Sequence, residues 1–445
     1  MKEQIKKSPV ERWITIPVND FMSKSTTGGI VLFASAMLAI VIANSPWSNL
    51  YHHFWEHKIG FNYDANLYLS KSLHEWINDG LMAIFFFVVG LELKREIIGG
   101  ELSTVKKAIL PIFGALGGMV FPALIYIFFN NSGEANAGWG IPMATDIGFA
   151  LGVLFLLGSK IPTSIKVFLT ALAIADDLGA VLVIAFFYTS NISLINLTIG
   201  FAFLLFLFIA NIMGVRSTTF YGIIGIGGVW LFFLLSGVHA TIAAVLLAFT
   251  IPADAKINES LFINKMKLFL ERFKNAIPNQ NRTLTNEQLE ILEEISEKTK
   301  QTMTPLQRLE HRLNPIVTFI ILPIFAFANA GVTFSNDFLN QATSQVALGI
   351  IFGLIFGKFI GIVGVSTLLI KLKLANLPTD MNFKHLCGVA LLASIGFTMS
   401  LFVTSLAFEN EIFILEAKIG IFIASFIGGI FGFLTLNKTN TITND

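Results

Sequence analysis

The stretch IADDLGAVLVIAFFY, residues 174–188, places two adjacent carboxylates, Asp176 and Asp177, inside a run that is otherwise apolar from Val167 onward. A helix of about 20 apolar residues crosses the roughly 30 Å hydrocarbon core of a bilayer, and this run is long enough to do so. An ionisable side chain at that depth costs at least a few kcal/mol, roughly, and marks a functional site by default. Successive helical positions diverge by about 100°, so the two acids face different neighbours. One is placed to line an ion cavity while the other meets a partner; the alternative is a hydrogen-bonded pair that only locks helix packing.

The whole chain shares this character. Its 445 residues are 54% hydrophobic and only 13% charged, with mean hydropathy +0.72, which does not furnish a water-soluble surface. Twelve apolar runs recur, at 29–43, 73–91, 108–129, 137–157, 165–188, 194–214, 218–235, 237–251, 315–333, 344–370, 385–407 and 413–435. They are continuous rather than alternating, so the expectation is an all-α polytopic membrane protein of about 12 transmembrane helices. The net charge of +1 gives no reason to expect a nucleic-acid partner; the lipid bilayer is the expected surrounding.

Lys and Arg stay on the cytoplasmic side during insertion. With twelve spans, Lys94, Arg95, Lys106, Lys107, Lys160, Lys166, Arg216, Lys371 and the basic stretch 256–312 share the side of the N-terminus, against Lys58, Lys71 and Lys418 opposite. Both termini are therefore expected in the cytoplasm, and MKEQIKKSPVERW has no apolar core that reads as a cleavable signal. The organisation read from this is a cytoplasmic segment 1–28, a first membrane part 29–251, a charged cytoplasmic loop 252–314, a second membrane part 315–435 and a disordered tail 436–445. Within the loop, Thr285 with Gln288 reads as a capping box, and Thr304-Pro305 as an N-cap with proline at the first helical position. ESLFINKMKLFLERF, 259–273, fits either a helix on the membrane surface or one packed on its own neighbours. The lone Cys387 forms no intrachain disulfide and reads as a buried thiol of the eleventh span.

Three short matches repeat in order along the chain. IFGALGGMV (112–120) pairs with IFGKFIGIV (355–363), TDIGFAL (145–151) with ASIGFTM (393–399), and IADDLGA (174–180) with IASFIGG (423–429). The unit is three helices, spans 3–5 and again 10–12. The orientation above makes the third span leave the cytoplasm and the tenth enter it, so the copies are inverted. Pro142, the Thr145-Asp146 pair, Gly148 and Gly152 interrupt the fourth span, and Ser394, Gly396 and Ser400 the eleventh. Both read as broken helices. Inverted repeats with broken helices are the architecture of secondary transporters, the NhaA antiporters among them.

The chain resembles that NhaA-type sodium/proton antiporter family through INDGLMAIFFFVVGLELKRE (77–96), PMATDIGFALG (142–152), LTALAIADDLGAV (169–181), SGVHATIAA (236–244), RLEHRLNP (308–315), LPIFAFANAGV (322–332), GKFIGI (357–362) and LLASIGFTMSLF (391–402). The resemblance spans about residues 25–435; the 254–313 stretch of the loop departs from it, being longer than the resemblance requires. It implies Na+(Li+)/H+ antiport across the bacterial inner membrane, for sodium extrusion and pH homeostasis, with no cofactor and with Na+ or Li+ and H+ as the transported ions. It implies Asp177 as sodium ligand and proton carrier, Asp176 as its companion near Lys358, and broken helices 4 and 11 that cross at the midplane. Buried half-helix ends carry partial charges, so Asp146 and Lys358 are candidates for dipole compensation. Thr145 either offers an oxygen to the ion or, like Ser394, bonds back to its own helix. Sodium and lithium are hard cations suited to such oxygen ligands.

The resemblance also links pH sensing to the charged cluster of Glu92, Lys94, Arg95, Glu96, Glu310 and His311, and it implies a homodimer through a small hairpin in the external loop 48–71. His239 has an intrinsic pKa suited to sensing and also fits as a packing residue. Asp79 reads as an external gate or a helix cap. His52, His53 and His57 with Glu56 read as a solvated loop rather than a metal site. Among rivals, an intramembrane aspartyl protease needs acids on separate helices in a G-x-G-D context, which is missing, and a channel needs no base beside its acids. A proton- or sodium-coupled symporter of a small organic solute is the alternative function.

Overall fold

The computed structural model describes residues 26–63, 66–158, 161–189, 192–276, 283–334, 337–378 and 380–439. Its helices follow the apolar runs. α1 (Thr27–Ala43) turns by 113° into α2 (Ser48–Glu56), which leads to a hairpin of β1 (Lys58–Tyr63) and β2 (Asn66–Ser72). This two-stranded antiparallel pair is the β-sheet found among the described residues; its register runs from Lys58↔Ser72 to Tyr63↔Asn66. Ser72 and Glu75 then form a capping box, and a π-helical turn, Ile77–Leu81, enters α3 (Met82–Gly99). Thus Ser72, not Asp79, caps this helix, and α3 continues eight positions past the expected end at 91 because its charged last turns still hydrogen-bond.

Next come α4 (Val105–Phe129), a 3-10 segment Glu134–Met143 bent by 40° against α5 (Ile147–Leu156), α6 (Thr163–Phe187), α7 (Leu194–Ile212), α8 (Thr218–Ser236) and α9 (Ala240–Thr250). The insertion forms α10 (Glu259–Asn275) and α11 (Asn286–Thr302), and the membrane part resumes with α12 (Pro305–Asn329) and α13 (Gln345–Lys371). α14 (Phe383–Leu392) meets α15 (Phe397–Ala407) at 46°, and α16 (Glu411–Thr439) closes the described chain. Among the described residues seven helices are long and apolar enough to cross a membrane, and up to ten spans result if each bent pair counts as one. The chain is a polytopic, predominantly α-helical membrane protein.

Two expected boundaries move. α12 starts at Pro305, capped by Thr304, so the last ten residues of the supposed loop 252–314 belong to a helix continuous with the next span. α16 runs through Thr439, because Leu436 is buried against Gly388; the supposed tail from 436 therefore begins as helix. Residues 1–25, most of the expected N-terminal segment, lie outside the described residues.

The packing that positions the site centres on α4 against α13. Gly117 and Gly361 let the two backbones touch: a Cβ on Gly117 falls 2.4 Å from the Gly361 carbonyl oxygen, and one on Gly361 falls 2.1 Å from that of Gly117. Small residues permit such close approach between membrane helices, where packing rather than hydrophobicity drives association. Gly118 in turn leaves room for the Lys358 stem, whose Cδ lies 3.5 Å from the position of a Cβ there. A π-helical stretch, Gly353–Gly357, directly precedes Lys358, a local unwinding that recurs at functional positions.

Candidate functional site

The breaks of the two bent helices face each other. Asp146 caps α5, its Oδ1 accepting from the Phe149 amide at 2.8 Å, and its own amide donates to the Ile395 carbonyl at 2.7 Å. Its Oδ2 accepts from both the amide (3.0 Å) and the hydroxyl (2.5 Å) of Thr398, in the first turn of α15. One carboxylate thus meets the amide ends of two half-helices, where negative charge is favoured. Thr145 donates to the Ala393 carbonyl at 2.8 Å and Ser400 to the Ile141 carbonyl at 2.8 Å, so both tie one broken helix to the other. Ser394 instead bonds back to Leu391 within its own helix, at 2.6 Å. Gly396 is needed for closeness, since a Cβ there meets Ser400 Oγ at 2.2 Å and the Ala144 carbonyl at 3.1 Å.

Beside the crossing, α6 presents Asp176 and Asp177, both buried as tightly as any apolar neighbour. The Lys358 ammonium donates to Asp176 Oδ2 at 2.5 Å and is itself fully buried. Among the described residues no group donates to either oxygen of Asp177, nor to Oδ1 of Asp176. Buried polar atoms nearly always find partners, so three such carboxylate oxygens in one place single out this point in the molecule. The hydrogen bond that the structure gives Lys358 is to Asp176 rather than to a half-helix carbonyl.

A cavity of about 800 Å³ reaches from Glu92, Arg95 and Glu310 past Thr170 to Ile147 and Gly148, adjoining Asp146. At its mouth Arg95 pairs with Glu310 and with Glu96 (3.0 Å), and Asn314 donates to Glu92 at 3.3 Å. His311 lines the same cavity. Lys94 stands apart, donating to the Phe249 and Ile251 carbonyls at 2.7 and 2.5 Å, where α9 ends. His239 is also elsewhere. Its Nε2 meets the Tyr188 carbonyl at 3.0 Å at the far end of α6, whereas Thr170 in the cavity lies near the start of that helix. The 25 residues of α6 span roughly 37 Å, so His239 does not join the Glu92 cluster.

On the opposite face Lys71 of β2 pairs with Asp79. Among the described residues no three His, Cys, Asp or Glu side chains come together as a metal site, and His53 pairs with Glu56 at 3.8 Å on the exposed surface. Burial holds the His52 imidazole below its ordinary pKa, and Lys418 pushes it the same way. Thr398, the donor that completes Asp146, is not among the residues that the sequence singles out. A hydroxyl in the first turn of the second broken helix was the available signal. Asn78 and Asn329 do not stand out in the sequence either; they are buried and bonded to each other at 3.3 Å, with His74 on Asn329 at 2.8 Å.

Residues 19–436 match the family described as Na+/H+ antiporter 1. The Na+/H+ antiporter NhaA 1 of Saccharophagus degradans is 46% identical over 441 residues, covering 97% of this chain and 94% of the relative. The chain belongs to the NhaA Na+/H+ antiporter family. The NhaA of Acidithiobacillus ferrooxidans is 48% identical over 432 residues (96% and 99% covered), and NhaA 1 of Psychromonas ingrahamii 47% over 422 residues (94% and 96%). Family membership agrees with the chemistry of the site: a buried acid pair, one lysine and two interrupted helices, with a cavity that reaches the first of the breaks at Ile147 and Gly148.

Proposed function

We propose that the protein is a secondary transporter that exchanges Na+ or Li+ for H+ across the bacterial inner membrane, by alternating access around Asp176 and Asp177. The single observation that carries this is Asp177, whose two buried oxygens take no hydrogen bond from any described residue while its neighbour Asp176 is held by Lys358. A carboxylate in that state accepts either a proton or a hard cation, and only one at a time. Each gradient then drives the other ion across. Asp177 is the ion and proton carrier, Asp176 the second ligand, and the Thr145 hydroxyl at the break a further oxygen for the ion. Asp146 compensates two half-helix amide ends, and Lys358 compensates Asp176.

The rest of the reading follows the same architecture. Twelve spans, counting α3, α9 and each bent helix, place both termini in the cytoplasm, and the two sets of three helices (spans 3–5 and 10–12) are inverted copies that meet along α4 and α13. The cavity with Glu92, Arg95, Glu96 and Glu310 is the cytoplasmic entrance and the place of pH sensing, with His239 a packing residue at the other end. The external loop 48–71, whose hairpin of β1 and β2 closes at Ser72, serves a homodimer contact. Proteoliposomes with a preset pH gradient test the central claim: Na+ and Li+ collapse it without any organic solute, and K+ does not. A gradient indifferent to Na+ and Li+ overturns it.

A further inference from the structure

α10 carries two stripes of side chains. Met266, Phe269 and Phe273 turn onto Ile291 and Ile295 of α11 and make a small core that the hairpin keeps to itself. On the same side Arg272 pairs with Glu294 of α11 at 2.9 Å. The second stripe is Ile263, Lys267, Leu270 and Lys274, spaced i, i+4, i+7 and i+11, roughly 100° around the helix from the first. All four are exposed, Leu270 at 64%, and the ion pair of α10 leaves both lysines out. α11 is by contrast acidic, with Glu287, Glu290, Glu293, Glu294 and Glu297, so the basic edge belongs to α10.

The hairpin is rooted at the membrane edge. Lys94 holds the Ile251 carbonyl, the Leu306 amide donates to the Pro252 carbonyl at 3.1 Å, and the Lys256 amide to the Gln301 carbonyl at 3.0 Å. Two residues later Asn258 caps α10, accepting from the Leu261 amide at 3.0 Å. The eight residues between α9 and α10 are therefore pinned, and α10 starts next to the end of a membrane helix. Apolar side chains interleaved with lysines at helical spacing suit a headgroup layer, because lysine stems lie along apolar surroundings while their ammonium groups reach phosphate. The cytoplasmic leaflet is anionic and attracts such segments.

We propose that α10 lies along the cytoplasmic headgroup layer, with Ile263 and Leu270 entering the apolar boundary and Lys267 and Lys274 bound to anionic phospholipid. This rests on the orientation proposed above. The test uses the full-length protein in a Cys387→Ser background, with an environment-sensitive fluorophore on Leu270→Cys or, as reference, on exposed Leu289→Cys of α11. It is reconstituted in phosphatidylcholine vesicles with and without phosphatidylglycerol, with shallow spin-labelled lipid as quencher.

The label at 270 is expected to shift to the blue and to be quenched at least about threefold more than that at 289, more so with phosphatidylglycerol. Lys267→Glu with Lys274→Glu abolishes the contrast. Equal quenching at both positions, or quenching indifferent to phosphatidylglycerol, overturns the proposal. So does a contrast that follows the protein-to-lipid ratio, which identifies a second copy as the occupant. Sodium-dependent exchange on the same vesicles, and membrane-impermeant thiol labelling for sidedness, read the transport function and the orientation separately from lipid contact.

Discussion

Asp146 and Asp177 are equally shut off from solvent, at 2% and 1% exposure, yet one is bonded on every side and the other on none. Asp146 sits where two half-helices begin, and their amides and the Thr398 hydroxyl complete it. Asp177 sits in the middle of an unbroken helix whose backbone amides are already used. The same side chain is thus fully hydrogen-bonded in one place and without a donor in the other, and the difference lies in the local supply of donors.

Replacing Asp177 by Asn sharpens that contrast most. Exchange is expected to fall by more than about a hundredfold, because an amide does not alternate between proton and charge, while melting in detergent stays level or rises since no uncompensated buried acid remains. Near-normal sodium-dependent exchange in this variant ends the central claim. Lys358→Ala leaves Asp176 buried and alone, at a cost of about 3–5 kcal/mol. Adding Asp176→Asn to it is expected to recover part of that loss, and a strictly additive pair in thermal unfolding removes the coupling.

Asp146→Ala strips an N-cap and leaves the Thr398 hydroxyl unpaired, for about 3 kcal/mol of stability. An Asp146→Ala variant as stable as Asp177→Asn erases the distinction between the two acids. The smallest effect concerns pH. If protons and sodium share Asp177, the apparent sodium KM rises as pH falls, by up to about tenfold per unit for each competing proton below the apparent pKa. A KM that is flat from acid to alkaline pH, with only the maximal rate changing, assigns control to a separate sensor.

Local chemistry was legible in the sequence. The capping box of α11 forms where Thr285 with Gln288 predicts it, and Thr304 caps α12 with Pro305 at its first position as expected, because a cap depends on residues no more than three apart. The acids, Lys358 and both helix breaks were legible because polar groups stand out against apolar runs. What was not legible depends on partners far along the chain. Nothing near Thr398 announces Asp146, nothing near Leu436 announces the space over Gly388, and the separation of His239 from Glu92 follows only from which end of α6 each one meets.

The crossing also sets an order of events in synthesis. Thr145, Asp146 and Ser400 reach partners about 250 positions away, so the first broken helix is made long before the second exists. At roughly 5–20 residues per second this interval is on the order of ten to fifty seconds. Through it the bare backbone at 144–146 waits in a medium that offers few hydrogen bonds. One contact is available at once: the bond from the Phe149 amide to Asp146 Oδ1 closes within three residues. The nascent break thus carries its own temporary clasp, and the same carboxylate later receives Thr398 when the C-terminal helices arrive.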